Sequence, residues 1–140
     1  MTLYAWKDAF RTGVDHIDGQ HKQFFYLLNE MAIAIDQRRE KEILDLLLAD
    51  LDRYARIHFS TEEKLMEGIG YPDLPRHRQE HEYFVGQLAT LHQRHDRGDE
   101  RVGSSALEFM RDWFMNHILA EDLKWAERLF GGRPPLLQVR

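Results

Sequence analysis

Five of the eight histidines combine with two carboxylates in a pattern suited to metal: His21; His58 with Glu62; His77 with His81; and His117 with Asp122. Imidazole nitrogen and carboxylate oxygen both ligate transition-metal ions. The chain has no cysteine, which excludes a thiolate zinc site, an iron–sulfur cluster and any disulfide framework. A metal here must be held by nitrogen and oxygen alone. His58 with Glu62, and His77 with His81, stand at i and i+4, so each pair lies on one helix face a turn apart. Two such imidazoles can chelate one ion, and a carboxylate beside a histidine can bridge to a second. His117 and Asp122 stand at i and i+5, about 140° apart on an ideal helix. That spacing predicts a π-type turn between them, a distortion that gathers at functional sites.

Seven ligands are too many for one ion. On two six-coordinate ions, five imidazoles, two bridging carboxylates and one bridging oxide or hydroxide leave a single position open. A small exogenous ligand would bind there, and the count puts three histidines on one ion and two on the other. Nitrogen and oxygen donors in octahedral number suit iron or manganese better than tetrahedral zinc, and the richness in histidine favours iron. Phe25, Tyr54, Val85 and Trp113 each stand one turn from a ligand, which predicts an apolar, aromatic wall that keeps water and protons away. His16 precedes the first helix and is expected to be exposed. His92 and His95 lie about 16 to 27 Å along their helix from the His77 and His81 pair, too far to join it.

Four helical stretches must position these side chains. After an irregular N-terminal arm with Trp6 and Phe10, Asp18 is expected to cap a helix whose inward stripe is His21, Phe24, Phe25, Leu28, Met31 and Ile35. The second, from about Lys41, carries Leu44, Leu47, Leu51, Tyr54, His58, Glu62, Leu65 and Met66, and is broken at Gly68, Gly70 and Tyr71-Pro72. The third starts around Asp73 to Pro75 with the stripe His77, His81, Phe84, Leu88 and Leu91, and stops near Gly98. The fourth, from Gly103-Ser104-Ser105, takes in Leu107, Met110, Trp113, Phe114 and His117, and ends at Gly131-Gly132. Short connections between long helices predict an all-α, antiparallel up-down-up-down four-helix bundle. In that arrangement the start of the first helix, the end of the second, the start of the third and the end of the fourth share one end. All seven candidate ligands then lie roughly 5 to 18 Å in from it.

The 140 residues suffice for one domain with a real core. A net charge of -5 and a pI near 5.9, without a basic run, argue against nucleic acid or an anionic membrane as partner. No secretory signal and no apolar run of membrane-spanning length appears, so the expected location is the cytoplasm.

Asp18-Gly19-Gln20-His21-Lys22, His58-Phe59 with Glu62-Glu63 and Met66, Gly70-Tyr71-Pro72, His77 with His81, and Trp113 with His117-Ile118 and Asp122 together resemble the motifs of the hemerythrins, specifically the single-domain bacterial form. The resemblance runs from Trp6 to Phe130. It implies a hemerythrin-like bundle over residues 1–132, with the arm at 1–17 and a C-terminal tail at 133–140. It also implies a non-haem di-iron centre with a bridging oxo or hydroxo group that binds dioxygen reversibly. By analogy His77, His81 and His117 hold one iron, His21 and His58 the other, and Glu62 and Asp122 bridge them; dioxygen binds at the iron with two histidines. The expected protein is a monomeric oxygen carrier, store or delivery module, not an enzyme, with an oxygen-consuming protein as a partner to look for. Phe114 departs from the family pattern, where leucine is commoner, and His16 is an extra histidine.

The main rival is a di-iron redox enzyme or an oxygen or redox sensor on the same fold. Ferritin-like di-iron enzymes use paired Glu-x-x-His motifs and four carboxylates, and no histidine here has a glutamate three residues before it. A sensor needs an output domain or a partner chain. Structural zinc, or no metal, leaves the convergence of seven ligands unexplained.

Overall fold

In a computed structural model, residues 4–129 are described, and every regular element among them is helical. A single 3-10 turn (Asp8–Phe10) in the arm precedes α1 (Asp15–Asp36), α2 (Glu40–Gly68), α3 (Leu74–Asp96) and α4 (Val102–Trp113). The last helix runs on through a π segment (Phe114–Asp122) into α5 (Leu123–Leu129). The π turn required by the spacing of His117 and Asp122 is therefore present. With i to i+5 periodicity, residues five apart share a face. The end expected at Gly131-Gly132 and the tail lie outside the described residues.

α1, α2 and α3 end in the same way. The third residue after the helix sends its N–H back five positions: Arg39 to Ala34, Tyr71 to Met66 and Asp99 to Arg94. The residue just before each donor is left-handed, with φ of 58° at Arg38, 64° at Gly70 and 80° at Gly98. Glycine supplies that conformation without steric cost at two of the three. Pro75 sits in the first turn of α3, where its missing N–H costs no hydrogen bond.

Each long helix packs on its two neighbours, α1 on α2 and α4, and α3 on α2 and α4. The main core runs through Phe24, Leu28, Met31, Leu48, Leu51, Phe84, Leu88 and Met110, all at most 1% exposed. Each such side chain contributes about 1.5–3 kcal/mol by burial. A smaller cluster of Ile17, Met66, Leu74 and Trp125 closes the end of the bundle beyond the candidate ligands.

Asp18 does not cap α1. The cap residue is Val14, and Asp18 lies a turn inside the helix, reaching back to the arm. Its Oδ1 accepts from the backbone N–H of Thr12 at 2.7 Å and from the Thr12 hydroxyl at 2.8 Å, and its Oδ2 accepts from Gly13 N–H at 3.2 Å. At the other end of the arm, Asn29 pairs with Tyr4 through both its amide groups, at 2.8 and 2.9 Å. Between these two clamps, Trp6 and Phe10 pack on Phe25, and Phe10 also packs on Phe114 at 5.1 Å between ring centroids. No helix among the described residues is long and apolar enough to cross a membrane.

Candidate metal centre

The seven side chains meet. His21, His58, Glu62, His77, His81, His117 and Asp122 are each between 0% and 3% exposed, and they come from all four long helical rods. The i, i+4 pairs place two ligands each from α2 and α3, His21 comes from the second turn of α1, and the π segment turns His117 and Asp122 inward together.

Every one of the five Nε2 atoms faces a carboxylate oxygen. His77 and His81 approach Glu62 Oε1 at 2.9 and 3.0 Å, while His58 approaches Oε2 of the same residue at 3.1 Å. His77 and His117 approach Asp122 Oδ1 at 3.0 and 3.2 Å, while His21 approaches Oδ2 at 3.1 Å. Glu62 thus turns one oxygen toward His77, His81 and His117 and the other toward His21 and His58, and Asp122 turns one toward His77 and His117 and the other toward His21. Two groups of donor atoms compact enough for an ion follow from this: Glu62 with His77, His81 and His117, and His21, His58, Glu62 with Asp122.

Three of the five outer ring nitrogens are engaged elsewhere, while His21 Nδ1 is buried without a partner. His58 Nδ1 meets Gln20 Oε1 at 2.6 Å, His81 Nδ1 meets Glu63 at 2.7 Å, and His117 Nδ1 meets Glu80 at 3.1 Å. Against an oxygen acceptor Nδ1 must donate, which leaves the Nε2 of a neutral ring with a lone pair. Those lone pairs then point at carboxylate lone pairs about 3 Å away. The Nε2 atoms of His21 and His58 also lie 3.1 Å apart. Glu62 Oε2, His117 Nε2 and both Asp122 oxygens are buried without a satisfactory hydrogen bond. Lone pairs crowded around common points require cations between them, so the donor set fits a pair of metal ions.

Without metal, protons take that place. Burial pulls the His21 and His77 rings down, but hydrogen bonds and charge from Asp122 and Glu62 more than reverse it and hold both at about 9. His117 is raised well above the usual range by the same carboxylates acting against its burial. For His58 burial wins and lowers it. Burial alone would raise Glu62 and Asp122, yet the surrounding histidines hold both carboxyls far below the ordinary range.

Aromatic rings brace the imidazoles. Phe59 lies face to face with His81 at 3.9 Å and Trp113 with His117 at 4.0 Å, and Tyr54 lies parallel to His58 at 4.9 Å. Phe25, Tyr54 and Trp113 are buried as the wall requires. Val85 is not part of it: at 52% exposed it faces outward, because it follows Phe84, which takes the inward position on α3. Phe114 is buried against Phe10 and Phe25. His16 is exposed, and His92 and His95 pair with Asp52 and Asp45 on the surface between α2 and α3, apart from the centre.

A family model, the hemerythrin HHE cation binding domain, matches residues 12–129. The chain belongs to the hemerythrin family. A bacteriohemerythrin of Methylococcus capsulatus is 36% identical over 119 residues, covering 84% of this chain and 90% of the relative. One from Stenotrophomonas maltophilia is 30% identical over 129 residues, covering 92% and 83%. Among solved structures, a leucine-to-alanine variant of hemerythrin superposes with a TM-score of 0.79 at 30% identity, covering 99% of this chain and all of that one.

Gln20 and Glu63, which stand in the motifs without an assigned role, and Glu80, which stands outside them, are the acceptors that the ligand spacing does not reveal. Each is a polar neighbour of a ligand in the chain: Gln20 beside His21, Glu63 beside Glu62, Glu80 beside His81. A search for acceptors adjacent to ligands, rather than for ligands alone, would have found them.

Proposed function

We propose that this hemerythrin binds dioxygen reversibly at a di-iron centre, as a carrier, store or delivery protein. His77, His81 and His117 would hold one iron, His21 and His58 the other, and Glu62 and Asp122 would bridge them together with an oxo or hydroxo group. The observation that carries this reading is the division of both carboxylates between a three-histidine and a two-histidine set. When bound, the irons would supply the electrons for reversible dioxygen binding at the less saturated position.

The chain's own groups make that chemistry reversible. The partly exposed Gln20, Glu63 and Glu80 accept from Nδ1 and so keep the tautomer in which Nε2 is free to ligate. Stacked aromatics fix the ring planes and keep water from the interior. Loading must displace the protons held by His21, His77 and His117. Among the described residues only two carboxylates enter the cluster, against four in ferritin-like oxidases, which supports a binding protein over an enzyme.

The start of α1 beside the end of α2, and the start of α3 beside the π segment, support an up-down-up-down course. The proposal takes residues 1–132 as the bundle domain, with 133–140 as a tail, and the protein as a cytoplasmic monomer that hands oxygen to a consuming partner.

Purification without oxygen, an iron count per chain, and visible spectra through cycles of oxygen and argon test the reading. Two irons and a band that comes and goes with oxygen are expected. Irreversible oxidation with substrate turnover would favour the redox enzyme, and failure to take up iron would end the proposal.

A further inference from the structure

Among the described residues two hydroxyl side chains are buried, Thr12 and Tyr54. Thr12 is committed to Asp18. Tyr54 is 3% exposed and its hydroxyl oxygen has no hydrogen-bond partner at all. Buried hydroxyls are almost always bonded, so an unpartnered one asks for a ligand.

We propose that the Tyr54 hydroxyl is the hydrogen-bond donor to the small ligand taken up on the two-histidine side of the centre. The inference rests on the proposed di-iron reading and adds to it a residue that selects the ligand. Two observations place the hydroxyl there. The ring of Tyr54 lies parallel to that of His58, 15° apart in plane, so it stands on the side of the centre with two histidines, where the coordination count leaves a vacancy. Its flanks are hydrocarbon, with Phe24 at 5.2 Å and Phe59 at 6.2 Å, and they offer it no alternative acceptor.

Three other buried donors lack partners, and none competes. His21 Nδ1 is the outer nitrogen of a ring whose Nε2 faces Glu62 and Asp122, so it points away from the centre. Trp113 Nε1 belongs to a ring stacked on His117, in the set of three histidines that the count fills, and that residue borders the surface groove lined by Arg76, Tyr83 and Asp112. Trp125 Nε1 sits in the cluster of Ile17, Met66 and Leu74 at the end of the bundle.

A lone donor in an apolar pocket favours ligands that carry or gain negative charge, since hydrogen bonds to charged acceptors are about twice as strong as neutral ones. Azide and dioxygen fall in that class, while carbon monoxide does not.

The test compares the full-length, iron-loaded, oxidised protein with its Tyr54→Phe variant. Azide affinity is read by absorbance titration, and the azide stretching frequency is read in H2O and D2O. Azide should bind about 10-fold more weakly to the variant, as loss of one hydrogen bond to an anion implies, and the D2O shift of the wild type should diminish. Iron should remain at two per chain in both proteins. The metal-free variant should melt no lower than the metal-free wild type, because no bond is removed. Azide affinities within two-fold of one another, with iron loading intact, would overturn the role of Tyr54 and leave the di-iron reading standing. Failure of the wild type to take up iron would overturn both. A variant that melts lower without metal would show a structural bond to Tyr54 and so count against the proposal.

Discussion

Asp18 offers a quantitative test of what holds the arm across the seam between α1 and the π segment. Thr12 is fully buried, and both its N–H and its hydroxyl end on Asp18 Oδ1, while the half-buried Gly13 N–H ends on Oδ2. Asp18→Ala leaves two buried donors and one partly hydrated donor without acceptors. At about 1–3 kcal/mol for each buried unsatisfied group, with little added by Gly13, the expected loss is about 3–5 kcal/mol. Arg11 approaches Asp18 only at 4.0 Å and is itself partly exposed, so that ion pair adds little. For a chain of this size the loss corresponds to a fall of about 10–15 °C in melting temperature.

Asp18→Asn separates the two oxygens. With its carbonyl at the Oδ1 position the amide keeps both Thr12 bonds but turns an NH2 toward Gly13 N–H, a donor against a donor, for an expected cost of about 1–2 kcal/mol. Melts of the metal-free proteins followed by circular dichroism measure both losses. In the iron-loaded Ala variant, loosening of Trp6 and Phe10 from Phe25 and Phe114 should also let water in, seen as a larger loss of the oxygen-dependent band per cycle. An Ala variant within about 1 kcal/mol of wild type, or an Asn variant as damaged as Ala, would refute the assignment of these bonds.

Three further perturbations address the centre. In the metal-free protein His21 and His77 sit at about 9 against an ordinary 6.5, so their stabilisation is complete below pH 6.5 and is lost as pH rises through about 9. His58, lowered by burial, acts oppositely and weakens the fold as pH falls below 6.5. The melting temperature of metal-free protein should therefore drop between pH 7 and pH 9, and the iron-loaded protein should lack that drop; equal slopes for the two forms would remove the histidine protons as its cause. Glu80→Gln keeps an acceptor for His117 Nδ1 but removes its charge, and should lower iron affinity about 10-fold in chelator competition at unchanged final stoichiometry. His117→Ala should reduce both iron per chain and the melting temperature of the loaded protein, and full iron content would exclude His117 as a ligand.

Most of the centre was legible in the chain because ligand spacing is a geometric statement. A pair at i and i+4 can point at one ion from a regular helix, and a pair at i and i+5 cannot. The spacing of His117 and Asp122 therefore requires the π segment that the last helix contains. Two features stayed hidden because they depend on contacts between elements. Asp18 looks like a helix cap in sequence, and only the path of the arm shows that it anchors Thr12 and Gly13 instead. Val85 sits one turn from His81, yet its neighbour Phe84 claims the inward face.

The π segment also explains why the last helix alone carries a distortion. α2 provides a histidine and a carboxylate at i and i+4, and these suffice for Glu62 to touch both histidine sets from one regular helix. Asp122 must do the same from the opposite rod, placing Oδ1 beside His77 and His117 and Oδ2 beside His21. A carboxylate one turn after His117, at position 121, is occupied by Glu121, which instead pairs with Arg76 at the surface. Widening the turn by one residue rotates Asp122 inward and leaves Glu121 outside. The helix thus carries a bridging carboxylate and a surface ion pair at adjacent positions, and restoring regular α-helical register there would exchange their places.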